Sequence, residues 1–261
     1  MGYSEYNKYL TKTSLLLHDL DSKARTFHFQ ILQLGLIKNY PLLLFTPIKK
    51  TTLPNILIAG GFHGDEPAGP LGILYFLLNI YPVIFETCNI SFLPLVNPTG
   101  YQNNLRNNFQ DDDVNRGFCH REVLNQPLSI EGKILTEYEE LILKISQNGF
   151  LSLHEDIDSR EYYFYTFEKT GKNGIFQESL RNCFKSFFKP CLQSHIYDCP
   201  VIDSGILNFH DSSFEDYLFH RGVPFTVCAE APRLYELEDR ILACSAIIES
   251  FCAFICGQYQ K

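Results

Sequence analysis

Short apolar runs alternate along this chain with longer amphipathic segments, a pattern typical of strands alternating with helices. Strands are predicted for residues 26–36, 40–47, 55–59, 89–95, 150–153, 161–167 and 223–229. Helices are predicted for residues 67–80, 131–147, 237–256 and a segment that begins at Ser212 or Ser213 and ends near Gly222. This alternation predicts an α/β fold with a mostly parallel central sheet, and the length fits one domain over residues 1–261.

Composition and charge exclude several classes of protein. With 30 acidic and 22 basic residues the formal net charge is −8, which disfavours nucleic acid as a partner because such binding needs a basic surface. The most apolar windows, 72–85 and 241–256, each contain a polar or charged interruption, so we expect buried helices and no membrane span. Nine cysteines with no C-x-x-C pair, and no secretory leader pattern, predict a reduced, cytoplasmic protein.

Polar side chains stand at the ends of several predicted buried strands. His63 and Glu66 follow the strand at 55–59, His154 follows the strand at 150–153, and Glu230 follows the strand at 223–229. Because ligands bind at the carboxyl ends of strands in open α/β sheets, we expect these side chains to meet at one edge of the sheet.

Two histidines and one carboxylate are the ligands of a catalytic zinc with an open fourth position. His63, Glu66 and His154 are therefore predicted to bind one zinc ion per chain. Glu230 is available as a general base, because it is the acidic residue at a predicted central strand end that the metal does not use.

A polar loop after the strand at 89–95 carries Arg106, Asn115 and Arg116. The two arginines are suited either to a substrate carboxylate or to a tetrahedral oxyanion. The acidic run Asp111, Asp112 and Asp113 lacks the spacing of a calcium loop, and we interpret it as a solvated turn.

Five motifs occur in the order GGFHGDEPAG, NPTGYQNNLRNN, DVNRGF, SLHED and CAEAP, between about residues 55 and 232. Together they resemble the carboxypeptidase A-like zinc metallopeptidases. The resemblance implies a mixed, mostly parallel central sheet with helices on both faces. It also implies zinc binding by His63, Glu66 and His154.

The same resemblance implies roles for four further residues. Arg106 polarises the scissile carbonyl, Asn115 and Arg116 hold the terminal carboxylate of the substrate, and Glu230 is the general base. The family's substrate-orienting tyrosine has no single counterpart in the spacing; the candidates are Tyr162, Tyr163, Tyr165 and Tyr197. Glu155 and Asp156, beside the third ligand, either disfavour an acidic side chain in the specificity pocket or face solvent.

The H-G-D-E motif more closely resembles that of the bacterial branches of the family, which include murein-peptide amidases and the succinylglutamate desuccinylase/aspartoacylase group. The expected function is a zinc-dependent metallocarboxypeptidase that hydrolyses an amide bond next to a free carboxylate in a small peptide, such as a cell-wall peptide. The alternative enzyme is an N-acyl-amino-acid deacylase, and the non-enzyme alternative is an inactive peptide-binding protein. The oligomeric state is left open by the sequence.

Overall fold

The computed structural model describes residues 3–48, 51–80, 82–119, 127–168 and 174–259. In these ranges the strands are β1 (Phe29–Ile37), β2 (Tyr40–Pro47), β3 (Asn55–Gly60), β4 (Asn89–Leu93), β5 (Gly149–Asp156), β6 (Glu161–Glu168), β7 (Lys189–Pro190), β8 (His195–Ile196), β9 (Cys199–Asp203), β10 (Ile206–Leu207) and β11 (Phe225–Pro232). The α-helices are α1 (Thr13–Thr26), α2 (Ala68–Asn79), α3 (Pro98–Asn103), α4 (Ile130–Glu137), α5 (Glu139–Ile145), α6 (Ile175–Phe184), α7 (Phe214–His220) and α8 (Leu237–Tyr259). Short 3-10 helices lie at Tyr3–Tyr9 and Pro82–Glu86.

The described strands form one sheet in the order β1-β2-β4-β3-β5-β11-β6-β10-β9-β8, with β7 beside β6. Its centre is parallel, because β3 pairs in parallel with β4 and β5, and β5 pairs in parallel with β11. The flanking pairs β1/β2, β2/β4 and β11/β6 are antiparallel. This arrangement confirms the predicted α/β fold with a mixed central sheet.

Alternate residues of the central strands pack on opposite faces of the sheet, as a strand period of two requires. On β3, Ile56 and Ile58 join a core with α1, α2, α6 and α8, whereas Leu57 and Ala59 join a second core with α4, α5 and α7. Helices therefore cover both faces, which confirms the arrangement that the family resemblance implies.

The last helix, α8, is long and apolar enough to cross a membrane by length and composition alone. It packs against α2 and the sheet, and 56% of its most apolar window is buried inside the protein. Its environment is therefore that of the core helix that the sequence predicts at 241–256.

Local structure differs from the sequence prediction at several places, and the sequence analysis predicts neither α1, α6 nor the short strands β7–β10. The predicted helix at 131–147 is divided into α4 and α5 at Tyr138, whose φ of −100° and ψ of 21° interrupt the helical backbone. The predicted polar loop after β4 contains α3, which begins where Asn97 accepts a hydrogen bond from the Gly100 amide. The hydrophobic pattern of the sequence reveals neither feature. Helix α3 has only six residues, and the interruption at Tyr138 leaves the apolar face of the segment continuous.

Candidate active site

The turn after β3 carries His63 and Glu66 and lies directly against the start of α3. A Cβ atom on Gly64 would stand 1.9 Å from the carbonyl carbon of Gly100 and 2.1 Å from the amide nitrogen of Tyr101, so this position has room only for glycine. The amide of Gly64 also donates to the carbonyl oxygen of Arg106 at 3.3 Å. The H-G-D-E turn and the N-P-T-G segment are thereby held together as one surface.

Three donor groups, two imidazoles and one carboxylate, converge beside this turn. His63 Nδ1 lies 2.7 Å from Glu66 Oε1, His154 Nδ1 lies 2.9 Å from Glu66 Oε2, and the two Nδ1 atoms are 3.2 Å apart. Tetrahedral ligands at 2.0–2.1 Å from a metal are about 3.3 Å from one another, so the spacing fits one shared ion. All three residues are buried, and together they form a group that could hold a metal ion.

The electrostatics of this group favour an ionised carboxylate between two imidazoles. Burial alone would raise the pKa of Glu66, but the charges of His63 and His154 and their hydrogen bonds lower it to about 2. Burial alone would lower the pKa of both histidines, and the carboxylate of Glu66 raises them instead. The donor set therefore attracts cations, whether protons or a metal.

His154 and Glu230 lie inside their strands rather than after them, which corrects the sequence prediction. β5 continues to Asp156 and β11 to Pro232, and the parallel register pairs Glu230 directly with His154. Paired residues of neighbouring strands point to the same face, so the Glu230 carboxylate stands beside the three donors. Burial is the main reason that the pKa of Glu230 rises to about 7, a value suited to proton transfer near neutral pH.

Asp113 belongs to the site, and our interpretation of the acidic run as a solvated turn is wrong for this residue. It accepts hydrogen bonds from His63 Nε2 at 3.2 Å, from Arg106 Nη2 at 3.1 Å and from the Asn115 amide at 2.9 Å. A carboxylate behind a histidine fixes the orientation of the ring and directs its other nitrogen toward the metal position. Asp113 and His63 are 50 residues apart, so no spacing rule predicts their contact. The available signal in the sequence is that Asp113 is the first residue of the D-V-N-R motif.

Glu215 is a second residue that the sequence analysis missed. Its buried carboxylate lies 3.6 Å from His154 Nε2, accepts a hydrogen bond from Asn115 Nδ2 at 3.1 Å and accepts another from the Ser152 hydroxyl. These partners outweigh the effect of burial and lower its pKa to about 2. The sequence analysis assigns no role to Glu215, which lies in the first turn of α7; the cap of that helix is Ser213, whose hydroxyl accepts from the Asp216 amide.

The structure places Arg106, Asn115 and Arg116 around one cavity of about 500 Å³. Arg106 contacts Asp113 and lies 3.5 Å from Glu66 Oε1. Arg116 forms an ion pair with Asp211 at 3.1 Å, and Asn115 accepts from the Phe214 amide through its side-chain oxygen. The two arginines therefore line the cavity, and Asn115 is fixed between helix α7 and His154.

Three of the four candidate tyrosines line the cavity, and one does not. Tyr163, Tyr165 and Tyr197 face it, whereas Tyr162 packs in the core and donates its hydroxyl to the carbonyl oxygen of Arg181 at 3.4 Å. The alternation of β6 separates Tyr162 from Tyr163 and Tyr165, which leaves three candidates.

Glu155 and Asp156 have different environments. Glu155 is buried, and its carboxylate pairs with Arg240 on α8 and accepts from the Ala68 amide at 2.8 Å. Its charge is therefore compensated inside the protein, and it does not face solvent. Asp156 is 8% exposed and lines the cavity, where it accepts the Tyr163 hydroxyl at 2.7 Å.

Two further groups in the described residues have donors close enough to hold a metal ion. One is His154 with Cys228 and Glu230, which shares a residue with the first group. The other is His210, Asp216 and His220, in which two half-exposed histidines face one buried carboxylate. A measured metal stoichiometry must therefore be assigned to a site by substitution.

No protein-family model matches the chain, and no curated protein sequence matches it. Among solved structures it is similar to a "putative metallopeptidase" of Shewanella baltica OS155, with 35% identity and a TM-score of 0.88 over 94% of this chain and 92% of that one. A "putative metallopeptidase" of Shewanella denitrificans OS217 has 35% identity and a TM-score of 0.87 over 94% and 91%. The murein-tripeptide amidase MpaA of Escherichia coli O157 shares the fold, with 17% identity and a TM-score of 0.57 over 84% and 91%.

Proposed function

This chain belongs to the carboxypeptidase A-like metallopeptidase family, and we propose that it is a zinc-dependent metallocarboxypeptidase acting on an amide bond next to a free carboxylate in a small peptide. The observation that carries the proposal is the buried group of His63, Glu66 and His154 with Glu230 beside it in strand register. Arg116 lines the same cavity and supplies a guanidinium for an anionic end of the substrate.

The donor set supports zinc as the metal. Two imidazole nitrogens and one carboxylate are the ligands of catalytic zinc sites in hydrolases, and the tight spacing of the three atoms suits four-coordinate geometry. When bound, such an ion lowers the pKa of a coordinated water and polarises the scissile carbonyl.

The residues of the chain supply the remaining chemistry. Glu230 is placed to accept a proton from water and to deliver it to the leaving nitrogen. Arg106, held by Asp113 at the cavity, directs its guanidinium toward the position where an oxyanion develops during amide hydrolysis. Arg116 orients the substrate, because its fork of donors matches a planar carboxylate.

The direct test is hydrolysis by the zinc-loaded protein. We expect cleavage of short peptides with a free terminal carboxylate, and loss of cleavage when that carboxylate is amidated. A panel that adds N-acyl amino acids distinguishes the peptidase from a deacylase. Absence of hydrolysis across the panel by protein with stoichiometric zinc would contradict the enzyme proposal and leave a peptide-binding protein.

Glu230→Gln tests the assigned base. General acid–base catalysis contributes roughly 10²–10⁴ in rate, so we expect kcat to fall at least about 10²-fold. Zinc content should stay near that of the wild type, because Glu230 is not one of the three proposed ligands. Metal analysis and kcat are measured on the same preparation. Full activity would remove Glu230 from the mechanism, and loss of zinc together with activity would make it a ligand.

A further inference from the structure

We propose that Asp156 makes the cavity selective for substrates whose acyl side carries an ammonium group, so that the preferred substrates are di- and tripeptides with a free α-amino group. The inference rests on the proposed function, since it names the substrate class of that same site.

The first step concerns the partners of Asp156 among the described residues. Its carboxylate accepts from the Tyr163 hydroxyl at 2.7 Å, from the Asp158 amide at 2.9 Å and from the Tyr197 hydroxyl at 3.3 Å. All three donors are neutral. Among the described lysines, arginines and histidines, none forms an ion pair with it.

Most carboxylates of the cavity differ in this respect; Asp158 and Asp198, which are exposed at its rim, also form no ion pair among the described residues. Those that face a basic side chain are Glu66, Asp113, Glu155, Asp211 and Glu215. Glu230 has no ion pair among the described residues, and it has the acid–base role assigned above. Asp156 is therefore a cavity carboxylate that is fixed in place by neutral donors and whose charge remains available to a ligand.

The second step is the position of Asp156 along β5. The strand presents Ser152, His154 and Asp156 on one face, because alternate residues share a face. Glu215, which holds Asn115, is bound to Ser152, so the carboxylate-binding end of the cavity lies on the Ser152 side of His154. Asp156 lies on the other side. The residues proposed to bind the substrate carboxylate and Asp156 therefore lie on opposite sides of His154, with the proposed metal position between them.

The third step is the length of substrate that reaches Asp156 from the metal position. His154 and Asp156 both line the cavity and lie two residues apart on β5, which is about 7 Å along the strand. One extended peptide residue spans about 3.5 Å. When the scissile amide lies beside His154, an ammonium group one or two residues before it is therefore within reach of Asp156, as in a di- or tripeptide.

A hydrogen bond to a charged group is strong enough to make this selection measurable. Such bonds contribute a factor of about 10 to 100 in an equilibrium or rate constant. The preference also separates the peptidase from the deacylase, because an N-acyl amino acid has no ammonium to place against Asp156.

The test compares a free dipeptide with its N-acetylated form, which keeps the terminal carboxylate. Binding is measured by calorimetry on zinc-loaded Glu230→Gln protein, so that the readout does not require turnover, and kcat/KM is measured on the wild type. We expect the free dipeptide to be favoured at least about 10-fold in both. Adding Asp156→Asn should remove the preference by weakening only the free dipeptide, while the acetylated form stays within about threefold.

Asp158→Asn is the matched control, because it removes the same charge at the exposed rim of the cavity. It should keep the preference, and thermal melting checks that both variants fold. Equal binding of the two dipeptides, preference for the acetylated form, or equal loss of both in Asp156→Asn would overturn the inference. If the free dipeptide binds better but zinc-loaded wild-type protein cleaves nothing, the inference stands and the proposed hydrolysis fails.

Discussion

Replacing Asp113 by Asn should weaken metal binding while leaving the fold intact. Asp113 is the carboxylate behind His63, and its contact with Nε2 leaves Nδ1 directed at Glu66 and His154. Asparagine keeps the size of the side chain and an oxygen acceptor. It removes the charge that stabilises both the His63 ring in this orientation and a cation bound on its far side.

The magnitude follows from the contacts that the charge strengthens. A hydrogen bond to a charged group contributes about 1.5–3 kcal/mol and one between neutral groups about 0.5–1.5 kcal/mol. The weaker bond to His63 therefore accounts for about 1–1.5 kcal/mol, or roughly tenfold in affinity. Lost attraction between the carboxylate and a bound dication adds to this, so we expect a total decrease of about 10–100-fold, which is typical of such outer groups.

The assay is a zinc titration of metal-free protein against a chelator of known affinity. Asp112→Asn is the matched control, because it makes the same change one residue away, where the backbone carbonyl of Asp112 bonds to the Asn108 amide and remains unaltered. Zinc affinity of Asp113→Asn within about threefold of the control would show that the His63 contact does not support the metal site, and the reasoning would fail.

Two further predictions concern the arginine and the base. Arg116→Lys should raise KM at least about 10-fold for peptides with a free carboxylate, because lysine lacks the bidentate fork of donors. The KM for amidated peptides should stay unchanged. An equal effect on both kinds of substrate would contradict the proposed role of Arg116. For pH, burial raises the pKa of Glu230 to about 7 in the metal-free site, and a bound dication lowers it, so the ionised, basic form is lost only as pH falls through a value below 7. We therefore expect kcat/KM of the zinc protein to decrease on that acidic side. No decrease down to the lowest pH at which the protein stays folded and zinc-loaded would refute Glu230 as the base.

The residues brought together at the site are those whose motifs lie close to strand ends. His63 and Glu66 are three residues apart on one turn, and a period-two strand fixes where His154 points, so the sequence predicts their convergence from local geometry. Asp113 and Glu215 were missed for the opposite reason. Each contacts a histidine 50 or more residues away, and the contact depends on how a distant loop, for Asp113, or helix α7, for Glu215, packs against the sheet.

The sequence also predicts where the strands begin better than where they end. The prediction ended one strand at 153, because the apolar run stops there, but β5 continues through His154, Glu155 and Asp156. These three residues are buried but polar, because they line the cavity or pair with Arg240, so hydrophobicity no longer reports the strand. Its pairing with β11 persists through Pro232.

Continuation of β5 explains why adjacent acidic residues have unrelated roles. On one face of the strand, His154 and Asp156 point into the cavity; on the other, Glu155 is buried against Arg240 of α8. An uncompensated charge is strongly unfavourable inside a protein, so the Glu155 carboxylate stays paired and is not available to a ligand. Asp156 reaches the cavity with only neutral partners, and its charge is available to a substrate. The alternation of the strand, continued three residues beyond the end of the apolar run, therefore separates the acidic residue that supports the structure from the one that we propose selects the substrate.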